Sequence, residues 1–267
     1  VAVVIDIDDP DDPRVADFRD LSAADRRPDR PGGRGLVLAE GVVVVQRMLT
    51  SRFPPFALFG VDRRFAQLAD DLAGVDVPCY RASAEVMAEV VGFHLNRGVL
   101  AAARRPAELD PAGLLATART VAVLEGVNDH ENIGSIFRNA AGLGADAILF
   151  GDRCADPLYR RAVRVSMGHV LRVPFAQLPT WPDSLELLRD NGFRIIALTP
   201  DPAAATLAAA LTGERVALLL GAEGPGLTAA AMTASDVRAR IPMSAGTDSL
   251  NVATAAAMAF YERVRAS

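Results

Sequence analysis

An α/β architecture with a mostly parallel sheet is expected for this chain, on two grounds. In the second half, short apolar runs of strand length (VAVLEG from Val121, DAILFG from Asp146, FRIIALT and RVALLLG) alternate with helix-like segments. Strands joined through helices pair in parallel, with helices covering both faces of the sheet. The first half shows the same alternation over a shorter stretch from Gly35, so the 267 residues divide into a small α/β domain and a larger one.

Residues 1–33 read as a flexible arm: an acidic Asp/Pro stretch leads into RRPDRPGGR, which has almost no apolar periodicity. From Gly35, GLVLAE reads as a strand and EGVVVVQRMLTS as a helix, although β-branching at Val42–Val45 also suits a strand. FALFG is the next strand, DRRFAQLADDL a helix opened by Asp62, VPCY a strand, SAEVMAEVVGF a helix capped by Ser83, and GVLAAAR the closing strand. This first domain spans 34–106. Two prolines and no strong period between 104 and 118 place a linker at 107–118, and the second domain occupies 119–267. There, NIGSIFRNAAGLG is a helix between the first two strands, VRARIPM a late strand and SLNVATAAAMAFYERVR the final helix. Ligands of such sheets sit beyond the carboxyl ends of the strands, here just after VAVL, IIAL, ALLL and ARIP.

Composition removes several classes of function. Hydrophobic residues make up 51% and charged residues 23%, and no apolar run reaches the roughly 18–20 residues that span a bilayer. The acidic start carries no basic leader, so a cytoplasmic location is expected. Cys79 and Cys154 are too few for a disulfide framework or a cysteine-rich zinc site and read as buried free thiols. The histidines show no metal-ligand spacing, and no metal is expected. Net charge is −5, which taken alone argues against a nucleic-acid partner; every residue in the Lys+Arg total is arginine, however, and phosphate contacts are local.

Chemistry concentrates in three segments. In ENIGSIFRNAAGLG, Ile133, Ile136, Phe137, Ala140 and Gly144 form one helical stripe and Arg138 projects away from it. Asn132 stands at the helix entrance as a natural N-cap, about 120° around the axis from Arg138. Alone, the pair reads equally as a cap and a solvated cation. LLLGAEGPGL places Gly221, Gly224 and Gly226 after a buried-looking strand with Glu223 among them; these glycines allow close backbone turns. The spacing is not GxGxxG, which weakens a nicotinamide-dependent oxidoreductase. In IPMSAGTDSLNVATAAAMAF, Asp248 and Ser249 are candidate caps, Asn251 falls in the first helical turn, and Leu250, Ala253, Ala257, Phe260 and Val264 form an apolar stripe. The alanines permit close approach by another helix.

Taken together and in this order, NxGxxxRNAxxxG, LLLGxExxGL and IPMxxxxxSLNVxxA resemble the three motifs of the SpoU (TrmH-like) family of RNA ribose 2′-O-methyltransferases, in the SPOUT superfamily. The resemblance covers about 119–265, and RVSMGHVLRVPF resembles the family's connecting stretch. One departure is SAGTDSLN, where many members carry glycine nearer the IPM. The pattern EGVVVVQRML…RGVLA resembles, less specifically, the ribosomal-protein-like RNA-recognition domain that precedes many members. The resemblance implies a C-terminal trefoil knot, a homodimer, S-adenosylmethionine (SAM) as methyl donor, and RNA as substrate, with ribosomal RNA expected over tRNA. It implies that Leu198, Thr199, Gly221, Ile241, Met243 and Leu250 line the SAM pocket. It also implies that Asn132, Arg138, Glu223, Ser249 and Asn251 surround the reacting ribose. The resemblance also implies Arg138 as the base; because a guanidinium keeps its proton far above neutral pH, Arg138 is read instead as a phosphate-anchoring cation, with its proton-acceptor role left open. Arg153, Arg160, Arg161 and Arg164 cluster near the first motif as an expected RNA phosphate track. A non-catalytic RNA-binding protein of the same fold is the competing reading.

Overall fold

The computed structural model describes residues 2–21, 35–244 and 246–266. The chain divides into two compact units, Val1–Ala107 with Asp156–Arg172, and Glu108–Ala155 with Val173–Ser267.

The first unit contains β1 (Val3–Asp6), β2 (Leu36–Glu40), α1 (Val42–Leu49), β3 (Pro55–Gly60), α2 (Asp62–Gln67), α3 (Ala69–Leu72), β4 (Pro78–Arg81), α4 (Ala84–Val91) and β5 (Val99–Arg104). The valine run settles as helix, with Val44, Val45 and Met48 on its buried face. Asp62 lies in the first turn of α2 behind Val61, whereas the Ser83 hydroxyl caps α4 by accepting from the Val86 amide. The sheet runs β1-β4-β3-β5-β2, with β1, β4 and β3 parallel and β5 antiparallel to both neighbours.

Three expectations are corrected here. The flexible arm is structured over its first two thirds. β1 pairs with β4, and a 3₁₀ turn at Pro13–Phe18 is capped by Asp12. Ile7, Val15, Phe18 and Leu21 enter the core beside Phe59 and Leu100. Four apolar residues spaced irregularly through acidic sequence give no period, yet they suffice to anchor the segment. The rest of that arm, RRPDRPGGR included, lies outside the described residues. Phe18 is fully buried, 5.5 Å ring to ring from Phe59. Phe18→Ala is therefore expected to destabilise the first unit by about 3–5 kcal/mol in urea unfolding, where a disordered arm would give no change.

The second correction concerns continuity. Asp156–Arg172, expected within the second domain, packs as part of the first unit. Its Arg160 donates to Glu40 at 2.7 Å and lies 5.0 Å over the Phe93 ring, while Arg47 donates to the Met167 carbonyl. Glu40 is almost fully buried, so it requires this cation.

Third, the expected linker is ordered. Asp110 accepts from the Ala112 and Gly113 amides and starts α5 (Pro111–Thr117), with proline at its first position. Leu115 is buried in the second unit's core, and the Arg215 guanidinium donates to the carbonyls of Leu115, Ala116 and Ala118.

The chain continues through β6 (Thr120–Leu124), α6 (His130–Leu143) and β7 (Ala147–Phe150) to α7 (Arg160–Val165), which belongs to the first unit. It then forms β8 (Phe175–Gln177), α8 (Leu185–Asp190), β9 (Arg194–Leu198), β10 (Ala205–Thr206), α9 (Leu207–Ala210), β11 (Val216–Leu220), α10 (Ala229–Thr233), β12 (Val237–Arg240) and α11 (Val252–Ala266). The second sheet is parallel throughout, in the order β10-β12-β9-β11-β6-β7-β8. Its central strands β6 and β11 are buried along their whole length, as a sheet covered on both faces requires. The buried side of α6 carries Ile133, Ile136, Phe137 and Ala140 as expected; Gly144 is the exposed left-handed cap at φ 73° rather than part of the stripe. α11 lies against α6, where the Asn139 amide donates to the Ala253 carbonyl. Its buried face runs through Val252, Ala253, Ala256, Ala259 and Phe260, which leaves Val264 exposed. Among the described residues, no helix is long and apolar enough to cross a membrane.

Candidate active site

Strands β9, β11 and β12 end side by side, and the loops that follow them enclose a cleft of about 280 Å³. Leu198, Thr199, Gly221, Ile241, Met243 and Leu250 all line it, together with Glu223, Ser249 and Asn251. The loops leaving a parallel sheet at its carboxyl edge diverge, and that divergence opens the space.

The turn after β11 is unusually close. A Cβ on Gly221 would fall 2.2 Å from the Leu227 amide nitrogen and 2.3 Å from the Gly226 carbonyl carbon. Gly224 and Gly226 adopt φ of 84° and 71°, conformations that L side chains resist, and the Gly226 amide closes the turn on the Ala222 carbonyl at 3.0 Å. From below, the buried Glu125 carboxylate fixes the same loop. It accepts from the Thr228 amide and hydroxyl, each at 2.8 Å, and from the Trp181 indole at 2.6 Å. The Trp181 ring rests on Gly151, where a Cβ would meet it at 2.6 Å. Sequence reading did not single out Glu125. Its only signal is a carboxylate ending an otherwise apolar strand, a position that demands buried partners.

Asn132 was expected to cap α6. The cap is Asp129, which accepts from the Glu131 amide, so Asn132 sits one turn in and is buried. Freed from capping, its amide group donates to Glu223 Oε1 at 3.0 Å and its carbonyl accepts from the Asn251 Nδ2 at 2.8 Å. Asn251 Nδ2 also lies 2.8 Å from Glu223 Oε1. Asn251 itself caps α11, accepting from the Ala253 and Thr254 amides; Asp248 and Ser249 lie before it and do not serve as that cap. One residue from each of the three segments thus meets in a closed hydrogen-bonded triangle, of which Glu223 and Asn251 line the cleft.

Arg138 stands apart. It is exposed on α6, does not line the cleft, and makes no hydrogen bond or ion pair among the described residues. Of the expected phosphate track, Arg153 is exposed beside Asp152 in the second unit, while Arg160, Arg161 and Arg164 belong to the first. Arg160 is held by Glu40, with Arg164 3.8 Å from the same oxygen. No three His, Cys, Asp or Glu side chains converge as a metal site among the described residues. Cys154, near the end of β6, donates to the Leu124 carbonyl, and burial pushes its thiol up to about 11; burial also raises Cys79. At pH 8 its thiolate fraction is about a hundredfold below that of a thiol titrating near 9. Iodoacetamide is therefore expected to leave the native protein unlabelled and to modify both cysteines after denaturation, as read by intact mass.

The spacing of these motifs along the chain matches a known family. Residues 119–261 fit the family model of the SpoU rRNA Methylase family. The chain belongs to the SpoU family. Relatives extend over nearly the whole of this SpoU protein: an uncharacterized tRNA/rRNA methyltransferase of Mycobacterium bovis is 69% identical over 98% of the chain and 92% of its own length. The 23S rRNA (guanosine(2553)-2′-O)-methyltransferase of Bacillus subtilis is 30% identical over 69% of this chain and 72% of its own. Among solved structures, the AdoMet-bound rRNA methyltransferase of Sinorhizobium meliloti aligns with a TM-score of 0.80 at 24% identity, covering 98% of both chains, and so shares the fold. This SpoU methylase is an RNA methyltransferase with a mixed α/β fold.

Proposed function

We propose that this SpoU methylase transfers a methyl group from SAM to a ribose 2′-hydroxyl, with ribosomal RNA as the substrate. The observation that carries the reading is the Asn132–Glu223–Asn251 triangle, two of whose members line the cleft. The cleft suits a nucleoside-sized donor, because its walls are apolar (Leu198, Leu220, Ile241, Leu250) and interrupted by the open backbone of the glycine turn. Bound there, SAM supplies an electrophilic methyl carbon. The protein aligns the acceptor oxygen with it. Glu223 Oε1 is occupied by two amide groups, which leaves its second oxygen to accept the hydrogen bond of the ribose hydroxyl and to take its proton as the C–O bond forms and the methyl leaves sulfur. Arg138, exposed and uncommitted, holds the adjoining phosphate and stabilises negative charge developing on the ribose oxygen.

Three further features belong to this reading. Both the 2′-O specificity and the ribosomal target are named for the B. subtilis relative. A C-terminal trefoil knot is supported by the path of the chain, which passes from β12, beyond β9, back to pack α11 on α6. Homodimerisation is supported by the exposed apolar residues Met258, Tyr261 and Val264 along α11. Calorimetry with SAM and ribose-methylation mapping of RNA from cells with and without the protein test the proposal. Uptake of SAM and loss of one 2′-O-methyl position in ribosomal RNA are expected. A missing base methyl group, or a lost position in tRNA, would replace the respective part of the assignment.

A further inference from the structure

Two glycines in the first unit lie beneath arginine stems. Gly41, at φ 94°, would place a Cβ 2.9 Å from Arg97 Cδ, and Gly98, at φ 66°, would place one 3.3 Å from Arg64 Cγ. Arg64, Arg97 and Gln67 then form the walls of a cavity of about 350 Å³, whose floor is Gly41 and the first turn of α1. Val42, Val43 and Val44 of the first turn line the cavity; helix geometry leaves the first amides without intrahelical acceptors, and Gly41 supplies no side-chain cap.

The arginines are not neutralised. Arg64 donates to Gln67 Oε1 at 2.8 Å, and its Nε is buried with no hydrogen-bond partner. Arg97 is nearly half exposed and reaches Glu40 only at 3.9 Å, on a carboxylate that Arg160 and Arg164 already share. One buried carboxylate therefore faces three guanidinium groups, before Arg64 is counted. The neighbouring acids are engaged elsewhere, Asp71 with Gln46 and Asp62 with Arg81. Two arginine side chains and the amino-terminal turn of a helix around an open cavity suit a tetrahedral oxyanion.

We propose that this cavity docks a backbone phosphate of the substrate RNA, at a site in the first unit separate from the methyl-transfer cleft. The inference rests on RNA being the substrate. It moves the phosphate-binding role from Arg160, which is hydrogen-bonded to Glu40 at 2.7 Å, to Arg64 and Arg97.

The test measures binding of a labelled, mixed-sequence single-stranded RNA 20-mer against salt concentration. Phosphate contacts are independent of sequence, and each contributes about 0.7 to the slope of log K against log salt. The R64A/R97A double variant is expected to bind about tenfold or more weakly near 150 mM salt, with the slope lowered by about 0.7, the share of one phosphate. Exposed Gln67 gives a signed check that spares the fold: Gln67→Glu should weaken binding and Gln67→Lys strengthen it. Inorganic phosphate should compete with RNA on the native protein and lose that effect on the double variant. An unchanged slope in R64A/R97A overturns the proposal, as does equal loss from both Gln67 substitutions. If the double variant does not fold, the Gln67 pair decides. These readouts involve no SAM, so failure of the methyl-transfer reading would appear separately, as wild-type protein that binds this RNA but takes up no donor.

Discussion

Arg138→Ala should lower the rate of methyl transfer by about 10²–10³-fold while leaving SAM affinity and melting temperature at their native values. The magnitude is that of removing a preorganised charge stabiliser at the reacting centre. Structural neutrality follows from its position: the side chain is exposed and makes no bond among the described residues whose loss would loosen the fold. Arg138→Lys separates two roles for the cation. If the residue anchors a phosphate and steadies charge, the lysine variant keeps part of the activity, and its rate stays flat from pH 7 to 9, where an ordinary ammonium titrating near about 10.4 is still charged. If the residue instead takes the hydroxyl proton, the lysine variant should gain about tenfold per pH unit over that range. Tritiated methyl incorporation as a function of pH reads either outcome.

Gly221→Ala is the second large effect. Its added methyl carbon meets peptide atoms of Gly226 and Leu227 at 2.2–2.7 Å, and backbone cannot rotate away as a long side chain would. The turn must open, which moves Glu223 out of the triangle and distorts the cleft wall. Overpacking of this kind costs about 1–3 kcal/mol, so a fall of several degrees in melting temperature is expected. Because the proposed function has this turn hold SAM through its backbone, SAM affinity should drop by at least about a hundredfold. Gly142→Ala supplies the comparison. That residue lies within α6 with nothing inside 4 Å of its added carbon, and alanine there should be neutral or stabilising. Equal donor affinity in the two variants would mean that the turn does not hold the donor.

Much of this was legible in the sequence because the relevant signals are local. Strand-length apolar runs and helical periods located the elements from Gly35 to Arg104 and then β6, α6, β7, β9, β11, β12 and α11, while the shorter α5, α7, β8, α8, β10, α9 and α10 carried no such signal; the carboxyl ends of the strands placed the cleft. What escaped was set by distance in the chain. Asn132 looks like a cap until the fold brings Glu223 and Asn251 beside it, 91 and 119 positions away. Arg160 looks like a free cation until Glu40, 120 positions earlier, is found buried beneath it. Glu125 looks like a loop residue until Thr228 and Trp181 converge on it. The ordered N-terminal strand was hidden for a different reason. Its few apolar anchors are diluted by aspartate, and composition then reads as disorder although four well-placed side chains suffice to tie the segment down.

The excursion of Asp156–Arg172 into the first unit bears on how the protein is made. Arg97 of the same half lies 3.9 Å from the Glu40 carboxylate, but its 2.7 Å partner Arg160 emerges from the ribosome only after β6, α6 and β7 of the second unit have been synthesised. The amino-terminal half therefore lacks its closest ion pair as an early product of translation. Its completion is delayed to mid-synthesis, and a nascent chain halted before Arg160 should remain more sensitive to protease across β2 than one halted after Arg172.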